Sequence, residues 1–247
     1  MRNGMMGLLV CCWAVLVSAV PAAGQGAERD ARLPLPFGIG VNIYHQDQGY
    51  DLTSLKVDVL EGDLAALENI EIDNDVTEVN LKLDWWALPF LDLFGIVGFV
   101  DGQTDVDNDI IKNLSVDYEG VVYGGGVTLV GGWESFFISL TAAIMETELD
   151  TSTSSVKAFI VSPKVGVVTR YGALWGGAMY QETDEHHEGV IDVPIFGRVE
   201  YDVEFEQKES WNGSAGYTTG VGEHWQIDLE AGFGNRIHAS ASATYRF

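Results

Sequence analysis

The chain has 247 residues, with 37 Asp and Glu against 13 Lys and Arg, for a formal net charge of -24. So acidic a chain is a poor partner for nucleic acid, because phosphate contacts need Lys and Arg. Both of its cysteines, Cys11 and Cys12, fall in the first twelve residues, so no disulfide framework or cysteine-based metal site is expected in residues 13–247.

The N-terminus has the three parts of a secretory signal: Arg2, an apolar run from Met5 to Val20, and small residues at Val20-Pro-Ala-Ala-Gly24. Cleavage is expected near Ala22 to Gly24, leaving residues 25–247 as one domain. No later stretch is long and apolar enough for a spanning helix. A membrane form would therefore be a closed barrel, because only a helix or a closed sheet satisfies the backbone in lipid.

Pro34 to Tyr44 alternates apolar Phe37, Ile39, Val41 and Ile43 with Gly38, Gly40, Asn42 and Tyr44, the period of a strand. His45 to Asp75 reads as a long acidic outer loop, with a short hairpin arm over Leu52–Val59. Val76 to Ala87 is the second strand. Thr77, Val79, Leu81, Leu83 and Trp85 lie on its outer face, and Glu78, Asn80, Lys82, Asp84 and Trp86 on its inner face. Leu88-Pro89 turns it, and Phe90 to Val100 returns.

Asp101 to Asp117 reads as a second acidic loop. Strands follow over Tyr118–Val130, Phe136–Thr147, Val156–Val168 and Leu174–Gln181, with a loop over Glu182–Gly197. Arg198 to Thr219 alternates for twice the length that crosses a bilayer, so it is expected to project beyond the membrane. Trp225 to Gly234 rises and Ile237 to Phe247 closes the chain.

The last strand places Ala239, Ala241, Ala243, Tyr245 and Phe247 on one face and His238, Ser240, Ser242, Thr244 and Arg246 on the other. An amphipathic strand ending on Phe resembles the C-terminus of bacterial outer-membrane β-barrels, where it serves as the assembly signal. The resemblance implies an outer-membrane location, contact with outer-membrane lipids and with the barrel assembly machinery through Phe247, and a monomer. The count of crossings gives a closed antiparallel transmembrane barrel of about ten strands. Eight would result from fusing weak strands, twelve from an extra spanning hairpin. Short turns on one side and longer loops on the other fit that class.

The alternation turns Glu78, Lys82, Asp84, Asp92, Lys164, Asp228, Glu230, His238 and Arg246 inward. Those charges form either an ion-paired plug or a narrow hydrated path whose excess carboxylates favour cations. The run Thr104-Asp-Val-Asp-Asn-Asp109, with Asp101 nearby, supplies Asp105, Asp107 and Asp109 as candidate calcium ligands, although it lacks the Gly and closing Glu of an EF-hand loop. His186 and His187, among four carboxylates, are a second candidate for a divalent cation.

No other cofactor is expected. The motifs of omptin proteases and outer-membrane phospholipases are not matched. His238-Ala-Ser240 has the spacing of lipid A deacylases, with Ala241 where Asn is expected. The reading is of a non-enzymatic barrel: a small passive pore, or a non-conducting barrel that acts through its acidic outer loops.

Overall fold

A computed structural model describes residues 35–57, 71–107, 114–150, 155–193, 197–207 and 210–247. The expected signal peptide lies outside them. Eleven strands make one antiparallel sheet: β1 Phe37–Val57, β2 Glu71–Leu88, β3 Leu91–Asp107, β4 Leu114–Trp133, β5 Phe136–Leu149, β6 Ser155–Thr169, β7 Gly172–Val193, β8 Gly197–Gln207, β9 Trp211–Val221, β10 Trp225–Phe233 and β11 Arg236–Arg246. The sheet closes where β11 pairs with β1, from Gly38 opposite Arg246 to Gln48 opposite Arg236. Phe37 and Phe247 exchange backbone hydrogen bonds at 3.2 and 2.9 Å and finish that seam.

Ten strands ring the lower barrel, since β8 and β9 are successive halves of one long strand. β9 pairs with β7 on one side and β10 on the other. β8, higher up, bridges β7 directly to β1. The β10–β11 hairpin is thus inserted beneath β8, and above it β7, β8 and β1 form a three-stranded extension: among the described residues β1 pairs with β2 only up to Tyr50 opposite Ile72, and β7 with β6 only up to His186 opposite Ser155.

The hairpin top is held under this arch. Asn235 Nδ2 donates to the Gly49 carbonyl at 3.2 Å and Asn212 Nδ2 to the Arg236 carbonyl at 2.8 Å. Gly234 sits at φ 134°, where a Cβ would also strike Asn212 Oδ1.

Outside, the barrel wears an apolar belt. Ile39, Leu83, Val97, Phe99, Ile138, Ile144, Phe159, Leu174 and Leu229 are exposed on it. In β3 and β5 the belt runs from Leu91 to Phe99 and from Phe136 to Ile144. About nine residues at ~3.3 Å each, tilted by about 40°, reach roughly 23 Å, close to the lipid-facing band of outer-membrane barrels. Outward polarity then switches within one alternation on β3, β4, β5 and β7: Phe99 to Asp101, Val121 to Glu119, Ile144 to Glu146 and Tyr180 to Glu182.

The strands extend beyond that switch, and here the sequence-based expectation is corrected. The acidic segments 45–57 and 71–75, much of 101–117 and residues 182–193 are strand rather than loop. Their carboxylates alternate with residues that point inward, as Asp73 and Asp75 do with Asn74 and Val76. The backbone pairs whether lipid or water lies outside. The rest of the expected first loop, residues 58–70, lies outside the described residues.

One strand carries an unexpected proline. Pro163 faces outward in β6 and has no N–H, and the β6–β7 pairing skips residues 162 and 163. The Ser162 hydroxyl donates instead to the Ala178 carbonyl at 3.2 Å.

Candidate functional site: the barrel lumen

Alternation sends one side of every strand inward, and the two halves of the lumen wall differ in chemistry. β3 to β7 supply Phe94, Ile96, Val122, Ala143, Met145, Ala158, Ile160 and Met179, which pack as one buried apolar cluster. Phe137, Ala173 and Trp175 form a second, towards the short turns. Bulky groups lie over glycines there: a Cβ on Gly124 would meet Met145 Sδ, and one on Gly126 the ring of Phe94. β1, β2 and β9 to β11 supply Asn42, Tyr44, Gln46, Glu78, Asn80, Asp84, Asn212, Ser214, Asp228, Arg236, His238 and Arg246.

All nine charged residues assigned inward by alternation face the lumen. At the turn end, Arg246 Nη1 bonds Asp84 Oδ1 at 2.8 Å, with Nη2 3.4 Å from Oδ2. Arg246 Nε also donates to Gln226 Oε1 at 3.1 Å. Asp228 accepts from Thr218, Gln226 and Ser242 at 2.7 to 3.1 Å. Lys82 lies 3.9 Å from Asp84 and over the Phe94 ring.

Further up, Lys164 pairs with Glu230 at 2.8 Å, and its ammonium sits 3.8 Å from the centroid of Trp175. His238 Nε2 is 3.5 Å from the other Glu230 oxygen, and its ring packs on Tyr44. Glu78 accepts from Asn80 at 2.7 Å. Asp92 belongs to the turn-end group, near Lys82, Asp84 and Arg246, and both its oxygens lack a hydrogen-bond partner.

Arg236, which alternation alone marks only as the lead into the last strand, is a further lumen residue. It is among the largest fully buried side chains and bonds Gln181. Extending the alternation back from His238 by two residues would have found it. Its presence corrects the charge balance. Among the described inward residues, Glu78, Asp84, Asp92, Asp228 and Glu230 give five carboxylates against the four cations Lys82, Lys164, Arg236 and Arg246. The expected excess of carboxylates is one.

The outer-loop candidates fare differently. Asp101 and Asp105 face outward on β3, with Gln103 between them donating to Asp105 at 3.1 and 3.2 Å. Four residues of extended chain set them roughly 13 Å apart along the strand. Asp107 lies in β3, but its side chain is not described, and Asp109 lies outside the described residues. His186 and His187 are in β7 by their backbone, and their side chains too are not described. Among the described residues no three His, Cys, Asp or Glu are grouped to hold a metal ion. Instead, Asp75, Asp101, Asp105, Asp117, Glu119 and Asp150 line an open acidic hollow of about 660 Å³ on the outer surface.

No family model matches the chain, and no curated protein matches it. Among solved structures it is similar to an outer membrane channel from Pseudomonas putida F1, at 10% identity and TM-score 0.43, covering 87% of this chain and 97% of that one. The translocator domain of the autotransporter NalP from Neisseria meningitidis gives 10% and 0.42, covering 86% and 88%. LpxR from Salmonella typhimurium gives 9% and 0.33, covering 85% and 100%. The closed ten-stranded wall, its apolar outer belt and its polar extension make this chain a β-barrel of the outer-membrane type.

Proposed function

We propose that the protein is a narrow passive pore of the outer membrane, closed in this conformation by the Lys164–Glu230 ion pair that crosses its lumen. The observation that carries this reading is the set of buried lumen groups without a hydrogen-bond partner. Both amide atoms of Asn42, Gln48 Nε2, Asn74 Nδ2, Glu78 Oε2 and Ser214 Oγ lie along the polar wall in this condition. Each such group costs about 1–3 kcal/mol while it is dry. A permanent plug would be expected to satisfy its polar groups. A lumen that admits water gives these groups their partners.

The near balance of inward charge leaves little selection by net charge, so local groups along the wall set what small solutes it favours. In this reading residues 1–24 direct export, the barrel is a monomer, and Phe247 serves assembly. His238 acts within the lumen network, engaged by Glu230, Asn212 and Tyr44, and takes no hydrolytic role.

The test is conductance of the detergent-refolded mature protein in a planar bilayer, with a heat-modifiable gel band as proof of folding. Steady steps that shift towards anion selectivity in Glu230→Gln are expected. A folded but silent barrel would overturn the pore. A second reading would then take its place, carried by the outward carboxylates Asp73, Asp75, Asp101, Asp105, Asp117, Glu119, Glu146 and Glu148 above the belt: a non-conducting barrel that acts through its acidic outer surface.

A further inference from the structure

Lys164 occupies an unusual place on the lumen wall. On β6 it follows Ala158 and Ile160 of the larger apolar cluster and precedes the level of Phe137, Ala173 and Trp175. Its side chain is fully enclosed, and its ammonium lies on the indole of Trp175 with Glu230 as the paired carboxylate. It is therefore a cation set within the largely apolar wall of β3 to β7, reaching Glu230 of β10 on the polar side.

Two further hydrogen-bond donors stand beside it without acceptors. Ser139 is its cross-strand partner in β5, and the Ser139 hydroxyl is buried and unpartnered. Trp175, on whose ring the ammonium rests, has a buried Nε1–H that is also unpartnered. Lys164 itself has three protons, and one carboxylate oxygen at 2.8 Å uses one of them. Lys164 thus has unpartnered donors around it, beside an apolar surface whose Met145 and Met179 can re-pack around an irregular guest.

We propose that the lumen selects small amphipathic monocarboxylates, with the carboxylate received at Lys164 and the apolar body laid on the Ala158, Ile160, Met145 and Met179 face. A simple hydrophilic solute would make no use of that face, and an apolar cation would meet the donors with the wrong charge. Glu230 is then the internal competitor, holding Lys164 until a solute carboxylate displaces it. The inference rests on the pore reading, in that the lumen must widen to admit the solute.

The experiment measures binding to the refolded, full-length mature barrel by calorimetry, with phenylacetate as probe and acetate and benzylammonium as controls. Conductance of the same preparations is recorded in parallel. Phenylacetate is expected to bind at least about tenfold more tightly than either control. Lys164→Met should weaken it by about tenfold or more, as loss of a charged hydrogen bond implies, and Lys164→Arg should largely restore it. Glu230→Gln, which removes the competitor, should tighten it. Ile160→Asn should weaken phenylacetate while leaving acetate unchanged.

Equal binding of phenylacetate and acetate, or indifference to Lys164→Met and Glu230→Gln in proteins that keep the heat-modifiable band, would overturn the inference. A barrel that conducts salt but shows no such preference keeps the pore and loses this site. A silent barrel that binds phenylacetate through Lys164 keeps the site and loses the pore. If Lys164→Met fails to fold, the opposite responses expected of Glu230→Gln and Ile160→Asn still decide the matter.

Discussion

Removing Asp84 while keeping Arg246 should be among the most damaging single changes in the lumen. Both side chains are almost wholly enclosed, and the guanidinium meets the carboxylate with both terminal nitrogens, at 2.8 and 3.4 Å. Asp84→Ala leaves the Arg246 charge with Gln226 as its other side-chain acceptor, at 3.1 Å, and the cost of an uncompensated buried charge is about 3–5 kcal/mol. Lys82, 3.9 Å from the same carboxylate, adds a like charge to the deprived region. Removing both partners together, in Asp84→Ala with Arg246→Met, should cost less than the sum of the two single changes, because no buried charge is then left without its partner.

Reversible urea unfolding of the barrel in lipid vesicles, followed by tryptophan fluorescence, gives the free energies for this double-mutant cycle. A loss under about 1 kcal/mol for Asp84→Ala would refute the reasoning, because it is the size expected of a water-exposed pair. Additivity of the two single changes would refute it as well, because it would mean that the residues do not act on one another.

Three further outcomes are expected from the same geometry. Leu83→Arg, in the middle of the outer belt, should destabilise the barrel by roughly 2–4 kcal/mol in the same unfolding assay, whereas Thr77→Arg, at its upper edge, should cost about 0–1 kcal/mol. Tyr118→Phe removes the hydroxyl that donates to Asn74 Oδ1 at 2.8 Å, and a loss of about 1–2 kcal/mol is expected from the acceptor left buried. Deleting Phe247 removes the two backbone bonds to Phe37 and the ring that stacks on Phe37 and Tyr245. Heat-modifiable barrel recovered from outer membranes should fall, while urea refolding of the purified chain should be less affected.

The sequence by itself determined which side of each strand meets lipid. A strand's side chains alternate with period two, so Leu81 and Leu83 must oppose Lys82 and Asp84 once the backbone is extended. The same rule turned all nine lumen charges inward and, applied two residues further, would have included Arg236. Strand length was less legible. Hydrophobicity marks where a strand leaves the membrane, and the backbone ladder continues past that level, so Asp73, Asp75, Asp101 and Asp105 look like loop while they sit in β2 and β3.

What only the tertiary structure decided is which residues meet across the lumen. Lys164 and Glu230, on β6 and β10, meet across the lumen, whereas Arg246 and Asp84, on β11 and β2, meet over Gly38 of the intervening β1 once the sheet closes. Their pairing depends on the stagger with which the sheet closes on itself, a property of all the registers together and of no single strand. The division of the wall into apolar and polar halves has the same origin. β3 to β7 each look like an ordinary amphipathic strand; their successive pairing joins the inner faces into one surface, and ring closure sets it opposite the charged β10–β11 hairpin.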